Sequence, residues 1–301
     1  MEVVITDMDY EVDYYEEKTR KILVLGSGGQ VGAYLTEYLR CADVEVMEFD
    51  ITNGSHQDMT MIPNGELEAK IYMADFVYFL AFDVGGSHYL KKYQHTFNFI
   101  DNNTRLMANA FGLIEKYKKP FVFASSQMSN MSYSPYGVLK RVGELYTKSL
   151  GGLIVKFWNV YGIEKDMDKA HVITDFIRKG FETGVIDMMT DGTEAREFLY
   201  AEDCCEALET VMDEYDNLSC DDELHITTGV YTTVLEIAEE IKSLFAGIGK
   251  TITVTPAQSK DEVQKDARNV PDPYIKEFWQ PTTSVKEGLK KVFEEMKKDY
   301  E

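Results

Sequence analysis

The sequence has little cysteine and little positive charge. Its 301 residues carry 31 Lys+Arg against 52 Asp+Glu, so the formal net charge is −21. DNA and RNA binding need a basic surface stripe, and the sequence shows none, which argues against a nucleic-acid partner. The four cysteines form neither paired CxxC units nor a disulfide framework, so we expect no metal site and a reducing, cytoplasmic compartment. They are Cys41, Cys204, Cys205 and Cys220.

Long apolar runs are also missing. No run approaches the 18 residues that a membrane helix needs, and the acidic N-terminus lacks the apolar core of a signal peptide, so we expect no membrane partner. Apolar residues nevertheless make up 44% of the chain, with 19 Tyr and 16 Phe, which is enough for a packed core. Residues 1–20 are acidic and have no clear period, and we interpret them as a solvated tail.

From residue 21, short apolar runs alternate with amphipathic stretches. The runs have the length of strands that are buried on both faces. They are Ile22–Leu25, Val44–Phe49, Phe76–Ala81, Phe121–Ala124 and Leu153–Phe157. The stretches with helical periodicity are Val31–Arg40, Asn98–Tyr117 and Tyr136–Leu150. This alternation of strand and helix predicts an α/β fold with a doubly wound parallel sheet.

The pattern becomes less regular after residue 160. The expected elements there are three helices and two strands, namely Val172–Thr183, Glu202–Tyr215, Val234–Phe245, Leu224–Thr228 and Ile252–Thr255. A smaller C-terminal lobe packed on the first domain accounts for them most simply. The predicted division is the acidic tail 1–20, a dinucleotide-binding domain over 21–160 with returning segments near 196–228, and a mainly substrate-binding lobe over 161–301.

A glycine-rich turn follows the first predicted strand and precedes the first predicted helix. Glycines at 26, 29 and 32 let the backbone turn tightly, approach a pyrophosphate and pack the helix on the sheet. The helix N-terminus supplies N–H donors and a partial positive charge for an anion. Asp50 ends the second predicted strand, where it can bind both hydroxyls of an adenosine ribose and repel a 2′-phosphate. The turn therefore predicts NAD rather than NADP.

A second constellation follows the predicted strand Phe121–Ala124. Ser125 and Ser126 stand at its carboxyl end, which is where ligands bind in open parallel sheets. Tyr136 and Lys140 follow with helical i, i+4 spacing, which places both on one face. A lysine ammonium beside a phenol favours the phenolate and lowers its pKa, so Tyr136 would be a usable general acid/base at neutral pH.

Together these motifs resemble the extended short-chain dehydrogenase/reductases, in particular the NAD-dependent epimerase/dehydratase branch that acts on nucleotide sugars. The resemblance runs from about residue 21 to residue 289. Further segments resemble family landmarks: residues 75–81 (the family's fourth strand), Asn103 with Asn109, 159–162, 196–203 and 279–281. The resemblance implies a Rossmann sheet, bound NAD, a nucleotide-diphosphate sugar as substrate and a homodimer formed by the helices of residues 98–117 and 136–150.

The resemblance also implies the residues of the site. Catalysis is assigned to Ser126, Tyr136 and Lys140. Cofactor binding is assigned to Gly26, Gly29, Gln30, Val31, Gly32, Asp50, Leu80, Ala81, Asn103, Tyr136 and Lys140. Substrate binding is assigned to Ser126, Gln127, Asn159, His171 and Arg196, with Arg196 holding the diphosphate. No metal ligand is assigned.

Departures from the family pattern narrow the choice of reaction. Gln127 and Met128 stand where dehydratases carry an Asp-Glu pair, and neither exchanges a proton, which argues against dehydration. Met128 also replaces the cysteine base of GDP-fucose synthase and GDP-mannose 3,5-epimerase, although the segment around His171 resembles theirs. We therefore expect a nucleotide-sugar epimerase that acts at C4. The alternatives are a 4-keto-sugar reductase or 3,5-epimerase and, from another class, a non-catalytic dinucleotide sensor.

Overall fold

The structure is a computed structural model that describes residues 19–265 and 269–301. The predicted tail 1–20 lies outside the described residues except for its last two positions. The strands are β1 (Arg20–Leu25), β2 (Val44–Phe49), β3 (Phe76–Phe79), β4 (Phe121–Ser126), β5 (Leu153–Phe157), β6 (Asn159–Tyr161), β7 (Val185–Asp187), β8 (Ala195–Tyr200), β9 (Glu223–Ile226), β10 (Tyr231–Thr233) and β11 (Thr253–Thr255). The α-helices are α1 (Gln30–Leu39), α2 (Gly65–Met73), α3 (Ser87–Tyr93), α4 (Phe97–Tyr117), α5 (Pro135–Leu150), α6 (Val172–Thr183), α7 (Ala201–Asp213), α8 (Val234–Gly247) and α9 (Val285–Lys297).

The central sheet has the strand order β2-β1-β3-β4-β5-β9, and all of its paired strands are parallel. Helices α1 and α7 pack together over one face, while α2, α4 and α5 pack over the other. Each face buries its own apolar cluster, because strands covered on both sides must be apolar on both sides. This arrangement confirms the predicted α/β fold with a doubly wound parallel sheet.

The C-terminal part of the chain forms a separate apolar core. Helices α6, α8 and α9 pack on one another and against β8, and they enclose a third buried cluster. Strand β8 lies between β6, to which it is parallel, and β10, to which it is antiparallel. The chain between residues 196 and 228 returns to the central sheet, since α7 packs on α1 and β9 pairs with β5. No α-helix in the described ranges is long and apolar enough to cross a membrane.

The prediction that every early strand is buried on both faces is wrong for β2. That strand pairs only with β1 and forms an edge of the sheet, so Glu45 is exposed and only Phe49 is fully covered. Two other strands have the predicted core but different ends. Strand β3 stops at Phe79 instead of Ala81, and β4 continues through Ser126.

The segment between β2 and β3 contains no strand, so the predicted fourth strand is the third of this chain. Residues 51–57 form two short 3₁₀ turns, and α2 begins after Asn64, whose side chain accepts a hydrogen bond from the N–H of Leu67. The residues of 51–58 are mostly polar and offer no apolar alternation for a strand. Helices α2 and α3 and the strands β6, β7, β8 and β10 were not predicted, whereas β11 lies within the predicted strand Ile252–Thr255.

Helix α5 approaches the sheet closely at one glycine. A Cβ at Gly143 would lie 2.2 Å from Cζ of Phe123 on β4. The Phe123 ring is fully buried and packs against Phe79 and Phe111, so it has little room to move. Glycine at 143 therefore sets the distance between α5 and the strand that carries Ser126.

Gly143→Ala is expected to lower the free energy of unfolding by roughly 1–3 kcal/mol, the usual cost of overpacking a core. The matched control is Gly112→Ala in the neighbouring helix α4, where an added Cβ would meet nothing within 4 Å. The control should raise the free energy of unfolding by roughly 0.5–1 kcal/mol, because alanine favours helix. Chemical denaturation measures both, and shifts of the same sign and size would contradict this packing.

Candidate active site

A cleft of about 1540 Å³ opens at the carboxyl ends of the central strands. The glycine turn, Asp50 and the segment after β3 line it from the first domain. Ser126, Tyr136 and Lys140 line its centre, and Asn159 and His171 line it from the C-terminal side. The cleft thus brings together most residues that the sequence assigns to cofactor and catalysis.

The glycine turn has the geometry of a cradle. Gly26 has a φ of +90°, and a Cβ there would lie 2.6 Å from the backbone nitrogen of Ala81. A Cβ at Gly32 would lie 2.0 Å from the carbonyl oxygen of Gly26. No side chain caps the start of α1 at Gly29, so the first N–H groups of the helix stay available to an anion in the cleft.

Asp50 lies against this turn at the end of β2. Its Oδ1 accepts a hydrogen bond from the N–H of Thr52 at 2.8 Å, and a Cβ at Gly28 would approach the same oxygen to 2.8 Å. The lack of a side chain at Gly28 leaves this carboxylate open to the cleft. The position suits recognition of ribose hydroxyls.

Leu80 and Ala81 line the cleft as predicted, but Asn103 does not. Asn103 is fully buried and holds the loop after β3: its Nδ2 donates to the carbonyls of Asp83 and Phe99, and its Oδ1 accepts from the N–H of Asp83. All its polar atoms are used by the protein. Asn103 therefore positions the Asp83 loop, and its direct contact with the cofactor stays a prediction.

The residues present fit NAD. The turn leaves a space that side chains would fill, and the first residues of α1, Gln30 and Val31, line the cleft. The Nε2 of Gln30 and the Oδ1 of Asn159 are buried and have no hydrogen-bond partner among the residues that the structure describes. Buried polar groups normally have partners, so both atoms are available to a ligand in the cleft.

Tyr136 and Ser126 lie together at the centre of the cleft. A hydrogen bond from Ser126 lowers the pKa of Tyr136, but burial outweighs it and raises that pKa to about 12. The pKa of Tyr136 is therefore raised in this structure and not lowered as the sequence predicts. The Lys140 Nζ lies 5.8 Å from the centroid of the Tyr136 ring.

Lys140 is buried beneath Phe82. Its Nζ donates to the carbonyl oxygen of Ala124 at 2.6 Å and lies 3.8 Å from the centroid of the Phe82 ring. Burial lowers the pKa of Lys140 to about 7, although the charge of Glu144 opposes this. Phe82 also contacts Tyr136 edge-on at 5.7 Å between ring centroids.

Two predicted substrate residues are held away from the cleft. The Gln127 side chain donates to Oε1 of Gln264 at 2.9 Å and accepts from Nδ2 of Asn269 at 2.6 Å. The Arg196 guanidinium is buried and pairs with Oδ2 of Asp261 at 2.6 Å. Neither residue lines the cleft. Gln264 and Asn269 hold the Gln127 side chain, and Asp261 and the Lys265 carbonyl hold Arg196.

His171 faces the cleft at the start of α6. Its Nδ1 and Oε1 of Glu164 are 2.7 Å apart, and its backbone N–H donates to the other oxygen of Glu164. Burial lowers the pKa of His171, but the charge and hydrogen bond of Glu164 outweigh this and raise it above 6.5. The pair therefore presents to the cleft an imidazole whose protonated form is favoured by Glu164.

Some cleft residues were missed by sequence reasoning. The sequence does not single out Phe82, Glu164, Lys165, Lys169 or Gln264, which also line the cleft. Lys169 lies in a turn before α6 and belongs to no recognisable motif. Only the fold reveals that its Nζ lies 3.3 Å from Asp83, a residue 86 positions earlier in the chain. Across residues 19–265 and 269–301, no group of three or more His, Cys, Asp or Glu side chains has the geometry of a metal site.

Known proteins share this fold and sequence pattern. The chain is 24% identical to UDP-glucuronic acid decarboxylase 1 of Danio rerio, in an alignment that covers 100% of this chain and 78% of the relative. The structure of epimerase Mth375 from Methanothermobacter thermautotrophicus superposes with a TM-score of 0.81, at 19% identity, over 94% of this chain and 93% of that one. UDP-glucose 4-epimerase from Thermotoga maritima superposes with a TM-score of 0.75, at 21% identity, over 93% of this chain and 100% of that one.

The sequence model of the NAD dependent epimerase/dehydratase family matches residues 22–226. That range contains the glycine turn, Asp50, Ser126, Tyr136 and Lys140, which the structure brings to one cleft. The chain belongs to the NAD dependent epimerase/dehydratase family, and its cofactor is NAD.

Proposed function

We propose that the protein is a nucleotide-sugar epimerase that inverts C4 through a transient 4-keto sugar. The observation that carries the proposal is the chemistry beside Tyr136. Ser126, Tyr136 and Lys140 line the cleft, while Gln127 and Met128, the next two residues after the serine, offer no group that exchanges protons. Inversion at C4 needs only one acid/base, because the same carbon is oxidised and then reduced.

The side chains have separate tasks in this reaction. NAD, when bound, supplies the reversible two-electron acceptor and donor for the sugar carbon. Tyr136 takes the C4 hydroxyl proton and later returns it to the same oxygen, so no net proton is consumed. Ser126 holds the reacting oxygen. Because burial raises the pKa of Tyr136 to about 12, the phenolate needs a neighbouring positive charge, and Lys140 is the cation on the same helix face.

The substrate proposed is a nucleotide-diphosphate sugar. Two of the similar proteins, UDP-glucuronic acid decarboxylase 1 and UDP-glucose 4-epimerase, are named for sugars linked to UDP. Asn159, with its unpartnered Oδ1, and His171, with its raised pKa, are placed to receive hydroxyl or anionic groups. We assign residues 21–160 mainly to the cofactor and residues 161–301 mainly to the substrate.

The C4-epimerase proposal predicts activity on nucleotide hexoses. Incubation with a panel of UDP-, GDP-, CDP- and dTDP-sugars, followed by NMR, is expected to show one pair that interconverts at C4. Tyr136→Phe should lower kcat by roughly 10²–10⁴-fold, the usual contribution of a general acid/base, with NAD binding retained. The matched control is Tyr133→Phe, since the Tyr133 hydroxyl donates to the Gln264 carbonyl outside the reaction centre.

A panel without any new isomer would contradict the C4 assignment. Formation of a nucleotide-linked pentose and CO₂ from a nucleotide uronic acid would instead identify a decarboxylase. NAD binding without turnover of any sugar would identify a dinucleotide sensor.

A second candidate function is a 4-keto-sugar reductase or 3,5-epimerase. The observation that favours it is the Glu164–His171 pair, which places a protonatable imidazole in the cleft. Consumption of NADPH with a keto-sugar would establish the reductase over the C4 epimerase. The first proposal ranks higher because Met128, which is buried, offers no base to act with His171.

The role of Arg196 as diphosphate ligand stays a prediction, and the structure shows what opposes it. Its Nη2 is 2.6 Å from Oδ2 of Asp261 and also donates to the Lys265 carbonyl, so a diphosphate must replace the Asp261 carboxylate to reach it. Asp261→Asn weakens that competition. UDP, used as the probe, should then bind roughly tenfold more tightly, equivalent to one charge-assisted hydrogen bond.

Isothermal titration calorimetry with UDP measures this effect. The control is Glu262→Gln, which removes a charge from the same segment but pairs with Lys91, 2.7 Å away, instead of Arg196. Equal UDP affinity in both variants and the wild type would exclude Arg196 as the diphosphate ligand.

We also propose that the protein is a cytoplasmic homodimer. In the described residues the four cysteines are free thiols, and Cys41 and Cys220 are exposed, which fits a reducing compartment. Large apolar side chains on the outer faces of α4 and α5 are exposed, so the C-terminal lobe does not bury these faces. They are Phe97, Ile100, Val138, Val142, Leu145 and Tyr146.

Leu145→Glu is expected to convert the dimer to a monomer, because it places a charge in the proposed apolar interface. Val230→Glu is the control, since Val230 is equally exposed but lies away from α4 and α5. Sedimentation velocity measures the mass of each. A wild-type protein that is monomeric at high micromolar concentration would contradict the dimer.

A further inference from the structure

A buried ionic cluster lies directly behind Tyr136 and Lys140. Ser125 on β4 is in register with Lys156 on β5, and Lys156 is in register with His225 on β9. Glu144 of helix α5 reaches this row of residues from above the sheet. Lys156 and Glu144 are both fully buried.

Both oxygens of Glu144 are in use. Oε1 accepts a hydrogen bond from the Ser125 hydroxyl at 2.5 Å and lies 3.3 Å from the Lys156 Nζ. Oε2 accepts from Nη1 of Arg141 at 2.6 Å. The second carboxylate of the cluster is Glu223, which lies 2.5 Å from Lys156 and 3.2 Å from Arg141.

Three consecutive residues of β4 bind three successive turns of α5. The carbonyl of Ala124 accepts from Lys140, the hydroxyl of Ser125 donates to Glu144, and Ser126 hydrogen-bonds to Tyr136. Tyr136, Lys140 and Glu144 are spaced i, i+4, i+8 and therefore share one helix face. Glu144 contacts two neighbouring strands, because its partner Ser125 lies on β4 and its partner Lys156 lies on β5.

We propose that Glu144 is a positioning residue of the active site, which fixes α5 on the end of β4 and serves as the counter-charge of Lys140. The inference rests on the role proposed for Lys140 at the cofactor and is independent of which sugar is bound. Replacement of a buried ion pair by apolar residues is often neutral or stabilising, so fold stability alone does not account for a charged cluster here.

The charges around Lys140 support this role. Glu144 on its own helix opposes the effect of burial and holds the pKa of Lys140 up. Glu223 from β9 lies beyond Lys156 and is paired with both Lys156 and Arg141. Burial and the Lys156 charge lower the pKa of His225. Glu144 is thus the carboxylate of the cluster that shares the helix face of Lys140, four residues away on α5.

The test compares Glu144→Gln with Glu223→Gln. Each variant removes one carboxylate from the same lysine and the same arginine, but only Glu144 contacts Ser125 and shares the helix face of Lys140. The measurement is the dissociation constant of NAD between pH 5.5 and 9, by calorimetry on protein freed of bound nucleotide, with the melting temperature as a stability control.

Glu144→Gln should shift the pH dependence of NAD binding. The family resemblance assigns Lys140 to the cofactor, and charged Lys140 is expected to bind the nicotinamide ribose. NAD affinity should therefore fall as pH rises through the Lys140 pKa. Loss of the Glu144 charge lowers that pKa, so the midpoint of the pH dependence of NAD binding should move to lower pH by about one unit. Above the midpoint, NAD should then bind roughly tenfold more weakly. Glu223→Gln should leave the midpoint in place while it lowers the melting temperature.

If the pH midpoint of NAD binding is the same in the two variants, the proposal is overturned and the cluster has only a structural role. If Glu144→Gln does not fold, Glu144→Asp carries the test, because it keeps the charge but shortens the reach. The midpoint should then stay while NAD affinity falls, and unchanged affinity would contradict positioning. The outcome of the sugar panel affects neither result.

Discussion

Contact between helix α5 and the carboxyl end of strand β4 is the constraint on which the active site depends. Gly143 allows the helix to lie close enough for Ala124, Ser125 and Ser126 to reach it. Strand residues alternate in direction and helix residues recur every turn, so these contacts fix both the height and the rotation of the helix. Tyr136 is therefore held at the cleft by the packing of α5 on the end of β4.

Electrostatics in this protein are local. The net charge of −21 would oppose NAD and a sugar diphosphate if it acted uniformly. The uncapped N-terminus of α1 and the buried Lys140 instead supply positive potential where a ligand would lie. The surplus acid lies mostly on the surface, where solvent and salt screen it.

The fold class and most of the cleft could be predicted from the sequence, because they rest on local patterns. Apolar runs, the glycine turn and the spacing of Tyr136 and Lys140 are each visible within a few residues. Contacts between distant segments could not be predicted in this way. The sequence does not show that Asn103 turns inward to hold a loop or that Asp261 pairs with Arg196, 65 residues away. The raised pKa of Tyr136 likewise follows from burial, which only the packed structure reveals.

The reaction proposed is redox-neutral and uses one acid/base, Tyr136, acting on one carbon. Neither Gln127 nor Met128 can remove a proton from a carbon next to the keto group. The most direct test is to run the reaction in D₂O and locate deuterium in the sugar by NMR and mass spectrometry. The account predicts inversion at C4 with no deuterium bound to carbon and no net change in NAD; deuterium at C3 or C5 would contradict it.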